Sequence, residues 1–130
     1  MKIAANIAGG LLGLLFIVVG SNFFLNFLPM PPPPPADTPV GMFMGAVFGT
    51  GFMAMVKVFE LVGGVLVAIP RLRPLGLLIL TPIIVNIIAF HMFVARAGVF
   101  DPPVLLVTAL AAFLIWVHRR GVAALLADKT

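Results

Sequence analysis

The chain has 130 residues, of which 62% are hydrophobic and 9% charged, with a mean hydropathy of +1.25. Soluble domains carry roughly 25% charged residues, and so few charges cannot cover the surface of a water-exposed domain of this length. The sequence holds no cysteine, which excludes disulfides, thiolate metal sites and a dithiol relay within the chain. Its net charge of +4 is spread singly or in pairs between apolar runs, a pattern that fits membrane flanks and not nucleic acid.

Four apolar stretches, at about 3–25, 45–69, 74–94 and 103–117, approach the roughly 17–25 residues that a helix needs to cross a bilayer. Period-2 alternation is absent, so helices are the spanning form that satisfies the backbone. The expected fold is all-α: a polytopic membrane protein forming one bundle of four transmembrane helices.

The first stretch follows Lys2 and resembles a signal peptide, with Val18, Val19 and Gly20 as a weak cleavage site. Phe23, Phe24, Leu25, Phe27 and Leu28 prolong the apolar run, which marks it as a retained span. Pro29 and the tract from Pro31 to Pro35 cannot be helical and form a stiff polyproline spacer. Lys2, Arg71, Arg73, Arg119, Arg120 and Lys129 fall on one side of the spans and Arg96 on the other. Both termini are therefore expected in the cytoplasm. Pro70 and Pro74 bracket a tight turn that makes the second and third spans an antiparallel hairpin. Asp101 before Pro102 and Pro103 reads as the N-cap of the last span, with Trp116 at the inner interface and Arg119 and Arg120 snorkelling.

Lys57 and Glu60 lie near the middle of the second stretch, where an unpaired ion costs a few kcal/mol. Their spacing lets them meet on one face, shared with Gly49, Met53 and Gly64. Asn86, near mid-depth in the third span, is the natural further partner for either. Pro82 is expected to interrupt that helix and release the carbonyl of Leu78, and His91 lies nearer the outer surface. Lys57, Glu60, Asn86 and His91 are thus the candidate ligand-binding residues, lining a site that opens toward the outer half between the second and third spans. The same four groups also admit a purely structural reading, as helix-register and hydrogen-bonding devices. Asn22 and Asn26 read as polar anchors at the outer end of the first span.

His91 and His118, the two histidines, fall at opposite membrane faces, so a single chain cannot supply both axial ligands of one haem. Met42, Met44, Met53, Met55 and Met92 read as adaptable packing in preference to a Cu(I) site. No phosphate-binding loop, activated serine or carboxylate pair is present, and no catalytic or metal site is expected.

The segments LLFIVVGSNFFLNFLPMPPPP, KVFELVGGVLVAIPR and PLGLLILTPIIVNIIAFHMFV occur in an order that resembles the DoxX family of small four-helix bacterial membrane proteins. The resemblance covers nearly the whole chain. It implies a bacterial inner-membrane protein acting as an accessory, or quinone- or small-ligand-binding, subunit of a redox assembly, with a redox protein or a second copy as partner. The alternative class is a small transporter or proton-coupled permease using Lys57, Glu60 and Asn86 as a midplane relay, with a membrane assembly chaperone third.

Overall fold

The computed structural model describes residues 2–29 and 31–127; Lys129, one of the basic flanks counted above, lies outside them. Those residues form helices α1 (Lys2–Leu25), α2 (Pro39–Gly49), α3 (Phe52–Ala68), α4 (Arg73–Ala89), α5 (Pro102–Val117) and α6 (Arg119–Leu126). A 3-10 turn at Pro70–Leu72 joins α3 to α4, and a π-helical turn at Phe90–Val94 extends α4. Two segments, Lys2–Leu25 and Pro70–Val94, are long and apolar enough to cross a bilayer. The number rises to four when α2 with α3, and α5 with α6, each count as one bent span.

The first and last predicted stretches coincide with α1 and α5 to within a residue. The second does not run straight: α2 and α3 meet at 78°. The cause is local. Gly51 stands at φ 81°, a left-handed conformation that ends one helix and starts the next on a new axis. Gly41, Gly45 and Gly49 therefore belong to α2, and the face they were expected to share with α3 is cut at Gly51. Around Gly45 and Gly49 an added Cβ meets open space. Thr38 caps α2, its hydroxyl accepting from Gly41 N at 3.1 Å and donating to Pro35 O at 2.7 Å, which ties the helix to the end of the proline tract.

Pro82 also departs from expectation. The helix continues through it, and the irregularity comes later, in the π turn. Thr81 Oγ1 donates to Leu77 O at 2.5 Å, so a side chain joins the backbone ladder one residue before the proline.

The core sits where α1 packs on α3 and α5, and α4 packs on the same two helices. Leu12, Phe16, Val67, Leu77, Leu80, Ile84, Ala111 and Leu114 are buried there. Close approach depends on glycine. A Cβ on Gly13 would lie 2.5 Å from the Gly64 carbonyl oxygen, and one on Gly76 would lie 2.6 Å from Val67 N. Lipid supplies little hydrophobic drive for helices to associate, so close van der Waals contact through small residues supplies it. At the C-terminal end of α1, Asn26 adopts φ 53° and closes the helix, while the buried Asn22 Oδ1 accepts from Leu28 N at 2.7 Å. These two asparagines turn the chain into the proline loop, beyond simple anchoring.

Gly13→Ala is expected to lower stability by about 1–3 kcal/mol, the cost of overpacking a tight contact. Gly10→Ala, where a Cβ meets nothing within 4 Å, should be neutral or slightly stabilising. Thermal unfolding of both variants in one detergent checks this, and equal shifts would remove the close-packing claim.

Candidate functional site

Glu60, Gly63, Gly64 and Val67 repeat at helical spacing and form the buried face of α3. Glu60 lies halfway along α3, and Lys57 is one turn nearer its N-terminal end. Because α3 begins at Phe52, Lys57 is about 8 Å from that end, in place of the 18 Å expected from a straight helix beginning at Gly45. The two side chains meet as predicted. Lys57 Nζ lies 3.1 Å from Glu60 Oε2 and 3.4 Å from Oε1, with 17% and 4% of the two side chains exposed. It is the one ion pair among the described residues. Burial makes each charge depend on the other, since loss of either leaves an uncompensated ion.

Asn86 does not join this pair. It lies on the exposed side of α4, and its Nδ2 donates to Pro82 O of the same helix at 3.0 Å. The expected contact fails because α4 stays helical through Pro82, keeping residue 86 on the side opposite the buried Leu77, Leu80 and Ile84.

His91 is separate from both. It occupies the π turn, and its Nδ1 lies 2.7 Å from Ile87 O. A carbonyl only accepts, so Nδ1 is the donor and Nε2 carries the free lone pair of the neutral ring. The turn that follows folds back onto the imidazole. Gly98, at φ 83°, passes so close that a Cβ there would lie 2.9 Å from His91 Cδ2 and 2.9 Å from Asp101 Oδ2. Arg96 is also held at a positive φ of 53°, a strained conformation for a residue with a side chain. Asp101 begins α5 as expected, but its carboxylate makes no capping bond; Pro102 and Pro103, at the first two helical positions, have no N–H to donate to it. The result is an open groove of about 540 Å³ lined by His91, Met92, Arg96, Ala97, Gly98, Val99, Phe100 and Asp101. A second, wholly apolar recess of about 320 Å³ lies on α3 between Leu61, Val62, Val65 and Leu66. Neither takes in Lys57, Glu60 or Asn86, so the four candidate residues occupy three places and do not share one cavity.

A fourth polar centre was hidden in the sequence. Arg73, read there as a flanking charge, is 1% exposed. Its Nε donates to Val67 O at 2.7 Å and its Nη1 to Asn6 Oδ1 at 3.2 Å, and the guanidinium lies against Gly9, where any Cβ would collide with it. Val67 is in the last turn of α3, whose free carbonyls carry the negative end of the helix dipole. A helix terminus thus takes the part of a counter-ion. His118 lies within reach of the Arg73 charge, and its Nε2 is buried without a hydrogen-bond partner among the described residues. One sequence signal was available. Arg71 and Arg73 are two residues apart at a helix start, so they point about 160° apart, to nearly opposite sides.

The junction of α5 and α6 places Arg119 over the Trp116 ring at 4.8 Å, its Nη1 donating to Trp116 O at 2.7 Å. His91 precedes α5 and His118 follows it. No group of three or more His, Cys, Asp or Glu side chains gathers as a metal set among the described residues. No family model, curated protein or solved structure matches the chain.

Two expectations follow for stability. In a double-mutant cycle, Lys57→Met and Glu60→Gln should each cost about 3 kcal/mol, and the double variant well under their sum. Additivity within about 0.3 kcal/mol would dissolve the pairing. Arg73→Lys should cost about 1.5–3 kcal/mol, because one ammonium nitrogen cannot occupy the separate positions from which Nε and Nη1 donate to Val67 O and Asn6 Oδ1. Arg71→Lys, on an exposed residue, should change stability by less than about 0.5 kcal/mol in the same unfolding assay.

Proposed function

We propose that this chain is a four-span, DoxX-like accessory subunit of a redox assembly in a bacterial inner membrane, with both termini cytoplasmic. It holds the head of a quinone or a similarly small amphipathic ligand at its outer end. The observation that carries the ligand reading is the groove at His91. Its volume of about 540 Å³ falls in the usual range for small-molecule sites, and it joins an imidazole, a guanidinium and a carboxylate to Met92 and Phe100.

Quinone chemistry fits these groups. The ring carbonyls accept hydrogen bonds, which Arg96 can donate, and the hydroxyls of the reduced form donate, which His91 Nε2 and Asp101 can accept. Met92, Phe93 and Phe100 are 51%, 72% and 81% exposed and offer apolar surface to the ring and tail. Electron transfer itself is assigned to the partner. The bacterial and redox parts of the proposal rest on the sequence resemblance.

A small proton-coupled permease is the second reading, and the buried Lys57–Glu60 pair favours it. Against it, the two carboxylate oxygens are already engaged by Lys57, and neither recess reaches them.

With the purified chain in micelles, a short-chain quinone should bind about tenfold more weakly to His91→Ala and to Arg96→Ala, the loss of one hydrogen bond of about 1.4 kcal/mol. Unchanged affinity in both variants rejects the groove. A redox protein should copurify from mild detergent extracts. Proton flux in proteoliposomes that disappears in Glu60→Gln would instead establish the permease. Alkaline phosphatase fused after Thr130 should be silent and active when placed in the proline loop; the reverse pattern overturns the orientation.

A further inference from the structure

Asn86 presents an amide to the outside of α4 at a depth where lipid offers it nothing. It lies 13 residues from Arg73 and eight from Val94, about 20 Å and 12 Å along a segment apolar enough to span the bilayer. The side chain is exposed, and its one hydrogen bond runs to Pro82 O. An amide has two N–H groups and an acceptor oxygen, so one N–H and the Oδ1 remain to be satisfied. Left in hydrocarbon they carry the desolvation cost of an unpaired polar group. Pro82, one turn below, adds to this: lacking an N–H, it leaves the Leu78 carbonyl without its usual donor.

The neighbouring residues form a seam. Leu75, Ile79, Pro82 and Asn86 recur at intervals of four, three and four, within about 60° of one helix face. Leu75 and Pro82 are exposed, and Ile79 is half-buried beside Gly63 of α3. A heptad-like apolar seam with one asparagine is the pattern by which paired helices choose register and partner number.

We propose that this face of α4 binds the same face of a second copy of the chain, Asn86 amide to Asn86 amide. The occupant follows from symmetry and depth. Two copies inserted with the same orientation are related by a two-fold axis along the membrane normal, which sets α4 parallel to α4 and each residue opposite itself. Asn86 then meets Asn86 at equal depth, and an amide, being both donor and acceptor, is complementary to its own copy. An unrelated helix would need a polar side chain at that same level. The pairing requires α4 to span the membrane and is independent of the redox and quinone readings.

The absence of native cysteine makes the test direct. In liposomes, the full-length Leu75→Cys variant should oxidise to a homodimer, whereas Val62→Cys, on the exposed face of α3, should not. Energy transfer between labelled copies, followed as lipid is added, gives the dimer constant. Asn86→Leu should weaken it about 3- to 15-fold, the span of interhelical hydrogen bonds measured in membranes. Asn86→Gln should hold it within about threefold. The leucine is placed on an outward face, so folding is expected to survive, and retained thermal unfolding confirms it. Equal cross-linking at both positions, dimerisation unaltered in Asn86→Leu, or capture of a different protein with no homodimer would each overturn the proposal.

Discussion

Arg73 carries its charge into the seam where α1, α3 and α4 meet, and that end of the molecule is arranged around its burial. A buried cation needs negative potential and directed acceptors. Val67 O, in the last turn of α3, provides both, and Asn6 adds a second acceptor from α1. The guanidinium fits only because residue 9 is glycine. One side chain of α4 therefore binds two other helices at once, and the short Pro70–Leu72 turn holds α4 near enough to α3 for the bond to form. Arginine suits this position because its planar fork is rigid and weakly hydrated, whereas a lysine would bring a strongly hydrated point charge.

The remaining polar groups follow the same rule in different ways. Lys57 and Glu60 neutralise each other on a single helix, so their partnership is local and leaves the shape of the bundle to glycine contacts. His91 commits Nδ1 to Ile87 O and lines the groove with Arg96 and Asp101. Asn86 is satisfied in part and faces outward. Among the packed helices Lys57 is paired with Glu60 and Arg73 with two acceptors, while His118 Nε2 is left without a partner among the described residues. Further hydrogen-bonding capacity is left at His91 and on the free side of α4.

Much of the chain's organisation was legible beforehand. The ends of α1 and α5, the hairpin turn at Pro70 and the Lys57–Glu60 pairing all follow from hydropathy, proline chemistry and helical spacing, which are local quantities. The break between α2 and α3 was not read, because Gly51 sits in a run whose hydropathy is continuous, and mean hydropathy does not register the sign of φ. The placement of Asn86 was misjudged for a related reason. Depth suggested a meeting with Lys57 and Glu60, but rotation about the helix axis decides such a meeting, and that depended on whether Pro82 would deflect the helix.

What the sequence by itself determined is the solvent and the secondary structure: an apolar chain without cysteine, built from helices, with charges at the ends of its apolar runs and one ion pair within. Composition and periodicity suffice for these because each is a property of a residue or of neighbours one helical turn apart. The tertiary structure alone decided that Arg73 faces inward to a helix terminus, that Gly98 and Asp101 close on His91, and that Asn86 looks outward. The first two bring together residues distant along the chain or across a turn, at distances set by how closely glycine lets the backbones approach; the third is set by rotation about the axis of α4. Side-chain identity names the groups available for pairing; only packing selects which of them meet.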